Sequence, residues 1–96
     1  MTMPAFTRGE WVDIGGGNKI RRVFRDGVLE ALDWDHSCSN PAEDYIPLRH
    51  GPSDGSVWSN HAWEIQSEEP LTISPSLLCT ACKKHGFIRG GAWVEA

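Results

Sequence analysis

Short segments in which apolar and polar residues alternate are the main structural signal along this chain. Ile20–Arg25 and Val28–Leu32 are two such segments, and Asp26-Gly27 separates them. Alternation with a period of two residues is typical of a β-strand that buries one face. An Asp-Gly pair between two such segments favours a two-residue turn, because both central residues of that turn need positive φ. The pattern therefore predicts a β-hairpin.

The position of the turn predicts which residues of this hairpin face one another. Phe24 should lie opposite Leu29, and Arg22 should lie opposite Ala31. Residues that lie opposite one another on paired strands share a face of the sheet. The predicted buried face of the hairpin consists of Ile20, Phe24, Leu29 and Ala31.

A second hairpin is predicted near the C-terminal end. Phe87–Arg89 and Ala92–Val94 are strand-like and flank Gly90-Gly91, which is again a favoured turn pair. With the turn at the two glycines, Ile88 should lie opposite Trp93.

The remaining pattern predicts strands and loops and no long helix. Val57–Ile65 and Leu71–Ile73 are read as further strands, the second of them at an edge or a bend. Asp33–Ser56 is rich in turn-forming pairs and is read as a long irregular stretch, with at most one helical turn at Glu43–Ile46. The predicted fold class is mainly β: a small antiparallel sheet domain of hairpins with long loops.

Composition narrows the function classes. Of the 96 residues 40% are hydrophobic, which is too apolar for a disordered chain and fits one domain over residues 1–96. The net charge of −4 disfavours generic nucleic-acid binding. No apolar run approaches the roughly 20 residues of a membrane span. The first residues lack a signal-peptide pattern, so we expect a cytoplasmic protein.

Five tryptophans are a high number for this length. Large aromatic side chains usually build the core of a small β domain. The alternative is a stacking surface for bases or sugars. The core interpretation is preferred, because no basic stripe accompanies the tryptophans, which are Trp11, Trp34, Trp58, Trp63 and Trp93.

The strongest chemical motif is a Cys-x-x-Cys pair followed closely by a histidine. Cys79 and Cys82 can bring two thiolates to one ion from a tight turn, and His85 can supply a third ligand. Zinc takes four such ligands in tetrahedral geometry, so the motif predicts a zinc knuckle. Since disulfides are rare in a reducing cytoplasm, the cysteines are better explained as metal ligands than as a disulfide framework.

The fourth ligand has to come from elsewhere in the chain. Cys38 and His36 are favoured because they follow the first hairpin directly, and His61 is the next choice. The alternative to metal binding is that Cys79 and Cys82 are reduced, partly buried residues and His85 is a surface turn residue. Redox chemistry of a thioredoxin-like dithiol would need a βαβ setting that the pattern does not predict.

A motif in the C-terminal 40 or so residues consists of Pro75, Ser76, Cys79, His85, Gly86, Gly91 and Trp93. In this motif the chain resembles a family of small uncharacterised proteins that are common in tailed phages and prophages. The resemblance implies a metal or polar site near His85 and no established activity. It also implies phage origin, in which case the cytoplasm is that of the host cell.

These observations predict a non-enzymatic protein that works by binding a partner. The expected role is that of a phage accessory protein, of the anti-defence or inhibitor type, that binds a host or phage protein. One alternative is a small metalloenzyme or nucleotide-processing protein with a site near His85. Another is a sponge for a small ligand or nucleotide, with the tryptophans as stacking walls.

Overall fold

The computed structural model describes residues 5–36 and 45–96, and these form ten strands and one short helix. The mainly β fold predicted from the sequence is confirmed. The elements are β1 (Phe6–Arg8), β2 (Val12–Gly15), β3 (Asn18–Arg25), β4 (Val28–Asp35), β5 (Tyr45–Arg49), α1 (Val57–Asn60), β6 (Trp63–Glu68), β7 (Leu71–Ser74), β8 (Leu77–Leu78), β9 (His85–Arg89) and β10 (Ala92–Glu95).

The strands form a large sheet and a small one. The large sheet has the order β1-β3-β4-β5-β6-β7, and β2 also pairs with β3. Its pairs are antiparallel except for β5 and β6, which are parallel and are connected through α1. The small sheet has the order β10-β9-β8 and is antiparallel.

The first predicted hairpin forms, with a change of register near its middle. Phe24 pairs with Leu29 as predicted, but Ala31 pairs with Val23 and not with Arg22. The reason is a bulge between Val23 and Phe24, which shifts the ladder by one residue beyond the turn. At the turn itself Asp26 has a φ of 49°, which is the left-handed conformation that the turn requires.

The C-terminal hairpin forms with the predicted register, and Ile88 pairs with Trp93. The stretch predicted to be irregular contains the strand β5. Pro47 pairs with Ala31 of β4 and does not interrupt the pairing with β6, because the residues that pair with β6 are Leu48 and Arg49. The predicted strand over residues 57–65 is wrong in its first half. The Ser56 hydroxyl accepts the N–H of Ser59 at 3.0 Å and caps α1, so the strand begins only at Trp63.

The core lies between the two sheets, and the tryptophans contribute to it unequally. Trp34 and Trp93 are buried, Trp63 is half-buried and Trp11 is exposed. The buried apolar cluster consists of Ile14, Ile20, Leu29, Leu32, Trp34, Ile46, Leu48, Leu71, Ile73, Leu77, Cys79, Ile88 and Trp93. Within the described ranges, no helix has the length and apolar character needed to cross a membrane.

The small sheet contacts the large one at both of its ends. At one end the Gly91 N–H donates to the carbonyl of Leu71 in β7 at 2.8 Å. At the other end Trp93 covers Gly16 in the β2–β3 turn, where an added Cβ would lie 2.7 Å from the indole Cδ1. These contacts join the β9–β10 hairpin to β7 and to the β2–β3 turn.

Candidate metal centre

The Cys-x-x-Cys motif lies on the connection between β8 and β9, in a turn of residues 79–84 that we call the knuckle. The Lys83 N–H donates to the carbonyl of Cys79 at 2.7 Å, and the Cys79 N–H donates to the carbonyl of Lys84 at 2.9 Å. Lys83 has a φ of 67°, which closes the turn. The turn buries Cys79 completely and leaves Cys82 exposed.

A histidine from the large sheet faces this turn. His36 follows the last residue of β4 and is 8% exposed. Its ring stacks on Trp34 with 4.1 Å between the ring centroids. The Trp34 indole N–H donates to Oδ1 of the buried Asn18 at 2.9 Å, so the surface on which His36 stacks is itself fixed.

His36, Cys79 and Cys82 form a group that could hold a metal ion. The ligand atoms, one from each side chain, all lie within 4.8 Å of one another. Two sulfurs and one imidazole nitrogen form a donor set that Zn²⁺ prefers, and a tetrahedral site would need one more ligand.

Two features of the group fit a cation. Backbone hydrogen bonding from the N–H of Cys82 lowers the pKa of the Cys79 thiol to about 7, and the adjacent His36 ring contributes to this lowering. In the described parts of the chain, neither ring nitrogen of the buried His36 has a hydrogen-bond partner. Buried polar atoms in folded proteins are nearly always paired, and coordination to an ion would satisfy one of these nitrogens.

One lysine of the turn, Lys84, contacts the large sheet. The Lys84 ammonium donates to the carbonyl of Gly16 at 2.6 Å and lies 5.9 Å from the centroid of the Trp93 ring. Lys84 therefore ties the knuckle to the β2–β3 turn and helps to position it against β4.

The structure brings together three of the residues predicted to bind metal and places others apart from them. His85 is exposed and its Nε2 lies 2.8 Å from the Ser76 hydroxyl, outside the group. His61 is exposed in the connection after α1 and does not belong to the group either. Cys38 lies outside the described residues, so its role as a ligand stays a prediction.

The residues that support His36 could not be predicted from the sequence. Trp34 and Asn18 are both fully or nearly fully buried and orient the histidine. The one local signal was the position of His36, two residues after a tryptophan that follows the predicted strand Val28–Leu32. The partner of that tryptophan is 16 residues away in the chain and depends on the register of β3 and β4.

A broad cavity of about 490 Å³ adjoins the exposed side of the knuckle. Its lining includes Cys82 and His85, so two of the predicted ligands share an opening to solvent although only Cys82 belongs to the group. The lining is completed by Lys83, Lys84, Glu95 and Ala96.

The chain was compared with known proteins at the level of families, of curated sequences and of solved structures. No protein-family model, curated protein or solved structure matches it.

Proposed function

We propose that this chain is a zinc-stapled, non-enzymatic binding protein in which the ion joins the two sheets. The observation that carries the proposal is the convergence of the buried His36 with Cys79 and Cys82, whose ligand atoms all lie within 4.8 Å of one another. His36 belongs to the large sheet and the two cysteines to a turn of the small sheet, so one ion would cross-link them. Structural zinc contributes about 10–16 kcal/mol in peptide systems. Such a contribution is large for a domain of this size.

The burial of the ligands supports a structural role. His36 and Cys79 are 8% and 0% exposed, so the ion would be enclosed on their side. A closed shell of four protein ligands holds no water to activate. We propose Cys38 as the fourth ligand on the basis of its sequence position, two residues after His36.

A surface on the large sheet supports the binding role. Arg21 lies opposite Asp33 and Asp33 lies opposite Tyr45, which aligns three side chains on one face. Trp11 extends this row, because the Arg21 guanidinium carbon lies 4.4 Å from its ring centroid. Arg8 also contacts Asp33, with 3.0 Å between Nε and Oδ2.

This row has the composition of a protein interface. Trp11 and Tyr45 are 43% and 42% exposed, and ion pairs hold the arginines between them in place. Trp, Tyr and Arg are the residue types that carry most binding energy at protein interfaces. We propose that this face binds a host or phage protein, in keeping with the resemblance to phage proteins.

A second candidate function is a small metalloenzyme. The observation that favours it is the cavity of about 490 Å³ onto which Cys82 and His85 both open. If Cys38 is not a ligand, a metal held by three side chains would keep one position for water or substrate.

Metal content and coordination test both candidates. Protein purified from zinc-supplemented cells should contain one zinc per chain by mass spectrometry, and His36→Ala and Cys82→Ser should lose it. His85→Ala is the matched control and should keep the ion, because its ring contacts Ser76. A metal-free wild type whose melting temperature is unchanged by zinc would refute the zinc proposal.

X-ray absorption at the zinc edge separates the two functions. Three sulfurs and one nitrogen, reduced to two sulfurs in Cys38→Ser, would support the structural site. Two sulfurs, one nitrogen and one oxygen in the wild type would favour the metalloenzyme.

The binding surface has its own test. A host protein that co-purifies with the wild type should be lost from a Trp11→Ala, Tyr45→Ala double variant. Val57→Ala is the control, because Val57 is 76% exposed and lies on α1. If the wild type, the double variant and Val57→Ala all recover the same amount of the host protein, this face is not the interface.

A further inference from the structure

The two cysteines of the knuckle differ sharply in their access to solvent. Cys82 is exposed and lines the cavity of about 490 Å³, whereas Cys79 is 0% exposed. A small oxidant that diffuses to the site therefore meets the sulfur of Cys82 first. Access is one of the factors that decide which cysteine in a protein is oxidised.

The second sulfur is close enough to react with the first. The ligand atoms of Cys79 and Cys82 lie within 4.8 Å of each other. Both residues belong to one turn, which the hydrogen bond from the Lys83 N–H to the carbonyl of Cys79 closes at 2.7 Å. The turn thus holds a second cysteine next to an exposed one, which is the arrangement found in reversible redox sensors.

We propose that the knuckle is a peroxide-sensitive release site, in which oxidation of Cys82 and disulfide formation with Cys79 expel the metal ion. This inference rests on the proposed function, because it takes the ion to be bound by both sulfurs. The oxidant is a hydroperoxide, of which hydrogen peroxide is the simplest.

The reaction is balanced in two steps. The Cys82 thiolate attacks one oxygen of hydrogen peroxide, the O–O bond breaks, and a sulfenic acid and a hydroxide form. The Cys79 thiolate then attacks the Cys82 sulfur, the S–O bond breaks with loss of a second hydroxide, and the disulfide bond forms. Two electrons pass from the two thiolates to the peroxide, and the hydroxides take up two protons to give two waters.

The oxidation removes two ligands from the ion at once. Thiolates bind zinc, and formation of the disulfide consumes both of those in the group, so His36 alone remains of the three residues that the structure brings together. The link between the end of β4 and the β8–β9 turn is then lost. Oxidation should therefore remove the ion as a chelator does, but it leaves a disulfide where the chelated protein keeps two thiols.

The experiment starts from wild-type protein whose zinc content has been measured as one per chain. Hydrogen peroxide is added in steps of one equivalent, catalase stops the reaction, and a chromophoric indicator measures released zinc. One equivalent should release one zinc, lower the mass by about 2 Da, and give a peptide that links Cys79 to Cys82. Dithiothreitol followed by zinc should restore the mass, the zinc content and the melting temperature.

Several results would overturn the proposal. Zinc that stays bound while both cysteines remain reduced at a tenfold excess of peroxide would do so. Release accompanied only by oxygen addition, or a disulfide that involves Cys38, would do so as well. A wild type without zinc would refute the proposed function and this inference together, whereas a zinc-loaded protein that resists peroxide refutes this inference alone.

A second measurement tests the order of the two steps. Iodoacetamide should alkylate the exposed Cys82 of the metal-free protein at least tenfold faster than Cys79, as followed by peptide mass spectrometry. Equal rates would contradict the assignment of Cys82 as the first sulfur to react. His85→Ala is the control, because it changes the same cavity without touching either cysteine, and it should leave the rates in the same ratio.

Discussion

Gly86 is the position at which the contact between the small sheet and the core can be tested most directly. It lies in β9, and the Trp93 ring covers it so closely that a Cβ added there would lie 2.5 Å from the indole Cε2 and 2.7 Å from the carbonyl oxygen of Val94. The nearest ring atom would be Cζ2. Non-bonded carbon atoms pack at about 3.5–4.0 Å. In Gly86→Ala the indole ring therefore has to move by about 1 Å.

The cost of this movement can be worked out from what surrounds the ring. Trp93 is 9% exposed and stacks on Trp34 with 5.7 Å between the ring centroids, so it has no free space in which to withdraw. Overpacking of a core costs typically about 1–3 kcal/mol, and a rigid ring against backbone belongs at the upper end of that range. A loss of about 3 kcal/mol lowers the melting temperature of a domain this size by more than about 10 °C.

Urea unfolding measures this loss, and Gly9→Ala is the matched control. An added Cβ at Gly9 would meet nothing closer than the carbonyl oxygen of Arg22 at 3.9 Å, so that variant should unfold within about 0.5 kcal/mol of the wild type. Adding Trp93→Phe to Gly86→Ala should recover part of the lost stability, because the smaller ring makes room for the methyl group. A Gly86→Ala variant as stable as Gly9→Ala would refute the packing argument.

Three further predictions follow from the site and its support. Removal of the ion with a chelator should lower the melting temperature of the wild type and leave His36→Ala unchanged, since a ligand at 1,000 times its Kd stabilises by about 4 kcal/mol. In the metal-free protein, stability should rise from about pH 7 towards pH 9, because the pKa of Cys79 is lowered to about 7 in the fold from an ordinary value of 9.0. Cys79→Ser should lose this rise in urea unfolding across the pH series, whereas Cys82→Ser should keep it, because the backbone N–H of Cys82 is the main cause of the shift. Asn18→Ala should destabilise the protein by about 1–3 kcal/mol, because it leaves the buried Trp34 indole N–H without its acceptor. It should also weaken zinc binding, because His36 stacks on Trp34. An unchanged zinc affinity in calorimetry would show that Trp34 does not position His36.

The sequence predicted the parts of the fold that local turn chemistry decides. Asp26-Gly27 and Gly90-Gly91 each fix a two-residue turn, and the pairing next to each turn follows by counting along both strands. The bulge at Glu30, opposite the step from Val23 to Phe24, could not be predicted in this way, because nothing in the local residue types distinguishes it from regular strand. Beyond a bulge every pairing is displaced by one residue, which is why the Arg22 prediction was wrong.

Two other differences between the predicted and the observed elements have local physical causes. The Ser56 hydroxyl accepts the N–H of Ser59 and so caps the N-terminus of α1. This cap overrides the strand tendency of Val57 and Trp58. The pair Ile46-Pro47 indicates a turn when only the sequence is considered. A proline is accepted in β5 because the pairing with β6 involves only Leu48 and Arg49.

Local spacing along the chain predicted only part of the candidate site. Cys79 and Cys82 meet because only two residues separate them on a turn, which is a local property. His85 is just as near in sequence, but it is the first residue of β9 and its ring lies towards Ser76. Which distant histidine faces the turn depends on how the two sheets pack, and spacing along the chain carries no information about that.

The position of His36 connects the metal site to the packing of the core. Its ring stacks on Trp34, Trp34 stacks on Trp93, and Trp93 lies on Gly86, so a continuous column of rings runs from the end of β4 to β9. The proposed ion would hold together the same two sheets as the column, the ion through ligands and the column through apolar contact. A disturbance of the column therefore changes the position of a ligand, and loss of the ion removes one of the two links that fix the column. For this reason zinc affinity and core stability should respond together to Gly86→Ala, while Gly9→Ala should alter neither.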